Sequence, residues 1–325
     1  MSLPQAIRDR RAVLSAIARD TKAALPGILR QLPHLKADTS EKLDLDHVPS
    51  LHATDCPGFA LSSDANVRGT SVKVLNEDSL DAAIMMSESL VQAATAPANA
   101  SAQPERNQRV VVLNLASDKN PGGGWLSGAL AQEEALCYRS SLALSLHKPY
   151  YPWSPLAAVY TPDVVIIRSS MSSGHRPLVP QMPAAQLPVV SVISVAAIRR
   201  PALRTIPVLS APSVPPEPGM HYRRTTFKYP ADYQLTKKKM RLTLRIAARE
   251  KHELLVLGAL GCGAFRNPPE EVAKCWSEVL DELEFRGGWW REIWFAVLDT
   301  KNEGNFNIFD RILGGKDFGK IGRDA

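Results

Sequence analysis

The order of apolar and polar positions predicts strands and helices that alternate along most of the chain. Short apolar runs read as buried strands, and the longer segments between them carry the three-to-four-residue spacing of amphipathic helices. The predicted strands are 71–76, 109–117, 159–168, 187–197, 253–265 and 292–299, and the predicted helices are 4–32, 77–95, 130–146, 234–252, 269–285 and 305–313. Such alternation is typical of an α/β fold, in which helices cover both faces of a mixed, largely parallel sheet.

The same pattern divides the chain at residue 70. Residues 1–70 hold one predicted helix and a polar stretch broken by prolines, so we expect an N-terminal helical extension packed on the core. Residues 71–325 are predicted to form one domain. Within it, residues 199–220 contain six prolines and no apolar period, which predicts a long loop or insertion.

Composition narrows the class of protein. The formal net charge of +6 favours an anionic partner such as a nucleotide, a phosphate polymer or a nucleic acid. The four cysteines form no CxxC pair and no histidine cluster has metal-ligand spacing, which predicts no metal and a reducing, intracellular location in cytoplasm or nucleus. No apolar run is long enough to span a bilayer, and the N-terminus lacks the pattern of a signal peptide.

Two predicted strands end in glycine-rich turns that lead into helices, "LNLASDKNPGGG" and "LGALGCGAFRNPPEE". Ligands of open α/β sheets bind at the carboxyl ends of the strands, where loop N–H groups can hold phosphate. Two such loops can hold a diphosphate, whereas a single one often does no more than turn the chain. Neither loop has the Walker A or the GxGxxG pattern, which disfavours P-loop hydrolysis and dinucleotide redox chemistry.

Gln132, Glu133 and Glu134 open the helix that follows the first glycine turn. Carboxylates in a first helical turn are stabilised by the helix dipole, which is a sufficient structural reason for them. Adjacent helical residues point in different directions, however, so one carboxyl can reach into a cleft while the other braces a sugar hydroxyl. Cleavage of a glycosidic bond needs a carboxylic acid that protonates the leaving oxygen.

The glycines 122–124, seven residues, and then "QEE" at 132–134 resemble the catalytic signature of poly(ADP-ribose) glycohydrolases. The lead-in "VVVLNLASDKNPGGG" and the second loop "GALGCGAFRNPPEEVA" resemble the microbial-type branch found in bacteria and fungi. The resemblance implies a three-layer α/β/α, macrodomain-like sandwich. It further implies hydrolysis of poly(ADP-ribose), mainly from the chain end, with release of ADP-ribose and without a metal or other cofactor.

The resemblance also implies roles for single residues. Glu134 is the expected general acid, and Glu133 is expected to hydrogen-bond the distal ribose. The expected substrate-binding residues are Asn120, Gly122, Gly123, Gly124, Gln132, Gly261, Cys262, Gly263, Ala264, Phe265 and, for the adenine, Asp78. The expected partners are poly(ADP-ribose) and ADP-ribosylated proteins, with no membrane, and the chain is expected to be a monomer.

Other features leave alternatives open. The same fold without turnover would be a module that binds ADP-ribose, and a related hydrolase would act on single ADP-ribosyl groups. Arg241, Arg245 and Arg249 recur on one predicted helix face, which suits polymer phosphates or simply solvent. The aromatic residues of "KPYYPWSP" suit loop packing or adenine stacking. Trp289, Trp290 and Trp294 are expected in the core.

Overall fold

The computed structural model describes residues 4–61, 63–93, 109–207 and 223–322. Within these ranges the helices are α1 (Gln5–Leu29), α2 (Ser79–Ala93), α3 (Gln132–Arg139), α4 (Pro230–Arg249), α5 (Pro269–Leu280) and α6 (Asn305–Leu313). The strands are β1 (Glu41–Asp44), β2 (Val67–Leu75), β3 (Val111–Leu115), β4 (Ala157–Val165), β5 (Val189–Val195), β6 (Leu203–Pro207), β7 (Arg223–Phe227), β8 (Leu254–Leu257), β9 (Glu292–Ala296) and β10 (Asp317–Gly322).

Eight strands form one mixed sheet in the order β1-β4-β5-β3-β8-β9-β2-β10. The run from β5 to β2 is parallel throughout, whereas β1, β4 and β10 pair antiparallel with their neighbours at the two sides. β3 and β8 are adjacent and parallel, with Val111 opposite Leu255. Their carboxyl ends therefore open at the same edge of the sheet, and both glycine loops begin there.

Helices cover both faces of this sheet because the strand side chains alternate. Along β3, Val112 packs with Met86 of α2 and Leu136 of α3, while Leu113 faces Met240 of α4 on the other side. α5 and α6 complete the second layer. The predicted three-layer α/β/α sandwich with a mixed, largely parallel sheet is confirmed, and Trp289, Trp290 and Trp294 are buried as expected.

The N-terminal segment is tied to the sheet and to α3. β1 pairs with β4, and its Leu43 packs in the core. In α1, the Thr21 hydroxyl donates to the Tyr138 carbonyl at 2.7 Å, and Arg168 donates to Thr21 at 2.8 Å while forming an ion pair with Asp20. The division of the chain at residue 70 stays a prediction, and β1 and the start of β2 lie on its N-terminal side.

Four details of the sequence prediction were wrong. Residues 33–70, the polar stretch after the first predicted helix, were expected to be irregular but contain β1. Residues 199–220 are not wholly a loop, because β6 lies in them; residues 208–222 fall outside the described ranges. β10 was missed because "DFGKIG" is a glycine-rich edge strand with a register shift against β2. α3 ends at Arg139 rather than near residue 146, because Ser140 is extended and bridges to Ile166.

Candidate active site

The first glycine turn follows β3 and bends through two left-handed residues. Gly122 and Gly123 have φ of 67° and 60°, a region that side chains disfavour. The Gly123 amide donates to the carbonyl of Asn120 at 3.0 Å, which closes the turn, and the Asn120 side chain is exposed beside it. A side chain on Gly122 would meet Trp125 at 2.8 Å. The turn is therefore packed on its inner side and open at Asn120.

Both glutamates of α3 contact this turn. Glu134 accepts a hydrogen bond from the Gly124 amide, and Glu133 accepts one from the Ser117 amide, each at 2.8 Å. A Cβ atom on Gly123 would lie 2.3 Å from Oε1 of Glu134 and 3.1 Å from Oε2 of Glu133. The structure thus places the carboxyl groups of both predicted acids directly against the predicted glycine turn.

The two carboxyl groups are almost removed from solvent. Glu133 is 3% exposed and Glu134 is 8% exposed. Burial raises the pKa of Glu133 from 4.5 to about 8, the nearby charge of Glu134 adds to this rise, and the hydrogen bond from the Ser117 amide opposes it. A carboxyl with such a pKa is largely protonated at neutral pH, so the pair holds a proton near the glycine turn.

Gln132 braces the start of α3 against β3. Its side-chain oxygen accepts from the Leu115 amide at 2.8 Å, and its side-chain nitrogen donates to the Leu113 carbonyl at 2.8 Å and to Ser79 at 3.1 Å. These contacts fix the helix start relative to the strand end. The predicted contact of Gln132 with a ligand stays a prediction.

The second glycine loop, 258–267, follows β8. Gly261 has φ of 76°, and a Cβ there would lie 2.4 Å from both Ala197 and the Asn267 amide nitrogen. Asn267 in turn donates to the Ile198 carbonyl at 2.7 Å, which joins the loop to the segment after β5. Gly263 is exposed, and a Cβ there would have no neighbour within 4 Å. The loop is thus anchored at Gly261 and accessible at Gly263.

The other predicted residues of this loop have distinct surroundings. Ala264 is exposed, and Phe265 lies under the Arg199 guanidinium, 4.8 Å from the ring centroid. Cys262 packs against the core, and burial raises the pKa of its thiol, so the sulfur stays protonated. This agrees with a backbone rather than a nucleophilic role for position 262.

Asp78 lies directly before α2, and its carboxylate is engaged by neighbouring groups of the protein. Its carboxylate accepts from the Leu80 amide at 2.8 Å and forms an ion pair with the buried Arg139, which also pairs with Asp81. These contacts cap α2 and tie it to α3. The predicted contact of Asp78 with adenine stays a prediction.

Two side chains near Glu133 are not among the predicted catalytic and substrate-binding residues. Asn114, the penultimate residue of β3, lies within hydrogen-bonding range of Glu133, and its side-chain oxygen is buried without a partner in the described structure. The Tyr151 hydroxyl is likewise buried without a described partner, and burial and the charge of Glu133 raise its pKa. A polar residue inside the apolar run "VVVLNLA" was the signal available for Asn114.

The arginines of α4 are already paired. Arg241 forms a bidentate ion pair with Glu282, Arg245 does so with Glu284, and Arg249 reaches Glu41. These ion pairs join α4 to the segment after α5 and to β1. They give the three arginines a structural role without any need for phosphate binding.

Within the described ranges, no three His, Cys, Asp or Glu side chains are grouped so that they could hold a metal ion. No helix in the same ranges has both the length and the apolar character needed to cross a membrane.

Comparison with known proteins bears on the same region. The family model "Microbial-type PARG, catalytic domain" matches residues 39–169, which include the first glycine turn and α3. No curated protein matches the chain with significance.

Solved structures match over most of the chain. Poly(ADP-ribose) glycohydrolase from Thermomonospora curvata is 25% identical, with a TM-score of 0.64 over 93% of this chain and 99% of that one. Poly(ADP-ribose) glycohydrolase from Deinococcus radiodurans, solved in complex with ADP-ribose, is 27% identical, with a TM-score of 0.59 over 89% of this chain and 97% of that one. The predicted resemblance to microbial-type poly(ADP-ribose) glycohydrolases is confirmed.

Proposed function

We propose that this chain, a relative of the microbial-type poly(ADP-ribose) glycohydrolases, hydrolyses the ribose–ribose O-glycosidic bond of poly(ADP-ribose) and releases ADP-ribose. The observation that carries this proposal is the contact of two buried carboxyl groups with Gly123, beside two glycine loops at the ends of adjacent strands. ADP-ribose offers a diphosphate for the loop amides and ribose hydroxyls for the carboxyl groups.

The two acids have different surroundings, which supports different roles. Glu133 is the deeper of the two and is held by the Ser117 amide, so we assign it to hydrogen bonding with the distal ribose. Glu134 is the more accessible and is held by the Gly124 amide in the glycine turn itself. We therefore assign Glu134 as the general acid.

In this mechanism, the second loop holds the diphosphate through the N–H groups of residues 263–265. The turn at 122–124, whose N–H groups donate to Asn120, Glu133 and Glu134, lies against the ligand with bare backbone. The proton held by the Glu133–Glu134 pair passes from the Glu134 carboxyl to the oxygen between the two riboses, and the bond from that oxygen to the anomeric carbon breaks. Positive charge develops on the ribose that carries the anomeric carbon, while the other ribose leaves as an alcohol. Water adds to the anomeric carbon and its proton passes to the Glu134 carboxylate, which restores the acid. No step draws on a metal or other cofactor.

The substrate in the cell would be poly(ADP-ribose) attached to proteins. We place the protein inside the cell, because the four cysteines are all free thiols and none is paired. The monomeric state predicted for the chain belongs to this proposal as well.

The direct test follows release of ADP-ribose from purified poly(ADP-ribose) by chromatography. Wild-type protein should release ADP-ribose, and Glu134→Gln should lower kcat by about a thousandfold, as expected for loss of a general acid. Glu88→Gln removes an exposed carboxyl from α2 and should match the wild type.

Calorimetry with ADP-ribose completes this test. If Glu134→Gln binds ADP-ribose normally without turnover, the role of Glu134 in chemistry is supported. If the wild type binds ADP-ribose but releases none from the polymer, the chain is a binding module and the proposal fails. Full turnover by Glu134→Gln would refute the assignment of Glu134.

A further inference from the structure

A basic two-stranded ribbon begins at the edge of the second glycine loop. β6 and β7 pair antiparallel, from Leu203 opposite Phe227 to Pro207 opposite Arg223. The segment before β6 is attached to the loop, because the Arg200 amide donates to the Phe265 carbonyl at 2.8 Å and Arg199 lies over the Phe265 ring. The ribbon is therefore continuous with the loop that we assign to the diphosphate.

Six cationic side chains lie on β6, on β7 and on the residues flanking them. We call these two strands, with their flanking residues, the basic ribbon. The six cationic residues are Arg199, Arg200, Arg204, Arg223, Arg224 and Lys228. Five of them are exposed and Arg224 is half-buried. Across the described part of the chain, none of the six forms an ion pair with a carboxylate.

This state contrasts with that of the arginines on α4, where Arg241, Arg245 and Arg249 each face a glutamate. Exposed like charges repel one another and raise the local positive potential. A cluster left without carboxylate partners therefore attracts an anion from outside the chain.

A cavity of about 220 Å³ lies at the foot of the basic ribbon. Arg204 and Arg224 line it together with Tyr229, Tyr233 and Gln234, and Glu271 of α5 contributes an acid. Cations beside aromatic faces are the combination that binds single-stranded phosphate polymers, since the cations meet phosphates and the rings stack with bases. The cavity is smaller than the sites of drug-sized ligands, so it suits one base or one diphosphate rather than a whole ADP-ribose.

We propose that the basic ribbon and the cavity beneath it bind phosphates and an adenine of poly(ADP-ribose) units outside the catalytic cleft. This inference rests on the proposed function, because the unit held by the glycine loops would be part of the same chain. Each repeat carries two phosphates and one purine, which matches the pairing of cations with tyrosines. Single-stranded nucleic acid has related chemistry, but the attachment of the ribbon to the second glycine loop favours the polymer that the loop would hold.

The test measures binding in the inactive Glu134→Gln background, so that the polymer stays intact. Fluorescence anisotropy gives the Kd for labelled poly(ADP-ribose) of defined length, and calorimetry gives the Kd for free ADP-ribose. Arg204→Gln/Arg224→Gln should weaken polymer binding by about tenfold and lower the slope of log Kd against log salt by about 1 to 2. The Kd for ADP-ribose should change by less than about twofold, since the removed charges lie outside the glycine loops.

Lys22→Gln/Arg30→Gln is the matched control. It removes the same charge from two exposed positions, Lys22 in α1 and Arg30 directly after it. The C-terminal half of α1 packs near the start of β5, at the edge opposite the glycine loops. The control should leave both Kd values as they are. Thermal unfolding should show that the ribbon variant is folded, because Gln at 204 can still donate to Thr226.

The outcomes separate this inference from the proposed function. Unchanged polymer binding in the ribbon variant, or an equal loss for polymer and free ADP-ribose, would overturn the inference. So would tighter binding of a single-stranded RNA of matched length than of poly(ADP-ribose). Failure of the proposed function would show instead as wild-type protein that releases no ADP-ribose, whatever the ribbon variant binds.

Discussion

Replacing Glu133 by glutamine should stabilise the protein above pH 5 while impairing its substrate contacts. Glu133 is 3% exposed, and its pKa is raised from 4.5 to about 8, chiefly by burial. Between these two pH values the folded chain keeps a proton that the unfolded chain has released. The contribution of Glu133 to the free energy of unfolding therefore falls as pH rises through this window, and levels off above pH 8.

The size of this effect follows from the two pKa values. A tenfold change in proton affinity corresponds to about 1.4 kcal/mol, so raising the Glu133 pKa from 4.5 to about 8 costs the folded state at most ~4 kcal/mol at pH 8. Relaxation around the ionised carboxyl reduces this ceiling, and we expect about 2–4 kcal/mol. Glutamine resembles the neutral acid and its oxygen can still accept from the Ser117 amide, so Glu133→Gln should escape this cost.

The assay is urea unfolding of both proteins at steps from pH 5 to pH 8. The difference in unfolding free energy should be small at pH 5 and should grow to about 2–4 kcal/mol in favour of Glu133→Gln at pH 8. Glu88→Gln, which removes an exposed carboxyl, should follow the wild-type curve. Parallel curves for the wild type and Glu133→Gln would refute the reasoning, because they would mean that Glu133 ionises in the folded protein as it does in water.

Three further substitutions, with one control, probe the scaffold of the site. Gly123→Ala places a methyl group 2.3 Å from Oε1 of Glu134 at a residue with positive φ, so poly(ADP-ribose) turnover should fall at least a hundredfold. Gly27→Ala is the control: it adds a methyl group at an open position of α1 and should raise the unfolding free energy by about 0.5–1 kcal/mol. Gln132→Leu leaves a partly buried amide and carbonyl of β3 without their partner and should cost about 2–4 kcal/mol in urea unfolding. Arg139→Met leaves two carboxylates unpaired and should cost about 3–5 kcal/mol in the same assay; a loss below 1 kcal/mol would contradict the importance of these ion pairs.

The sequence predicted those parts of the fold that have a strong local pattern. Apolar strands such as β3 and β5 and amphipathic helices such as α1 and α5 were located because burial imposes a period on their residues. Edge strands β1 and β10 were missed because one side of each faces solvent, so few of their positions need to be apolar. β6 was missed because the prolines around it suggested a loop, while its pairing with β7 is a long-range contact.

The site was predicted through its motifs, whereas its supporting contacts were not. The approach of Gly123 to both glutamates depends on the angle between α3 and β3, and the spacing of residues in the sequence does not determine that angle. Gln132 lies inside the motif, yet its contacts with the main chain of β3 become visible only in three dimensions. Asn114 and Tyr151 come from a strand and a distant loop, so their proximity to Glu133 depends on tertiary packing.

The N-terminal helix takes part in holding the acids in place. Gly128 belongs to the segment 125–129 that follows the first glycine turn. It lies against the backbone of α1, where a Cβ would be 2.1 Å from the Arg11 carbonyl oxygen. Tyr138 of α3 donates to the Trp125 and Ala129 carbonyls of the same segment at 2.9 and 2.7 Å. The segment between the glycine turn and α3 is thus fixed by α1 on one side and by α3 on the other. Because a shift of about 1 Å at reacting groups can cost a hundredfold in rate, this double support explains why a segment outside the motifs is packed so closely on them.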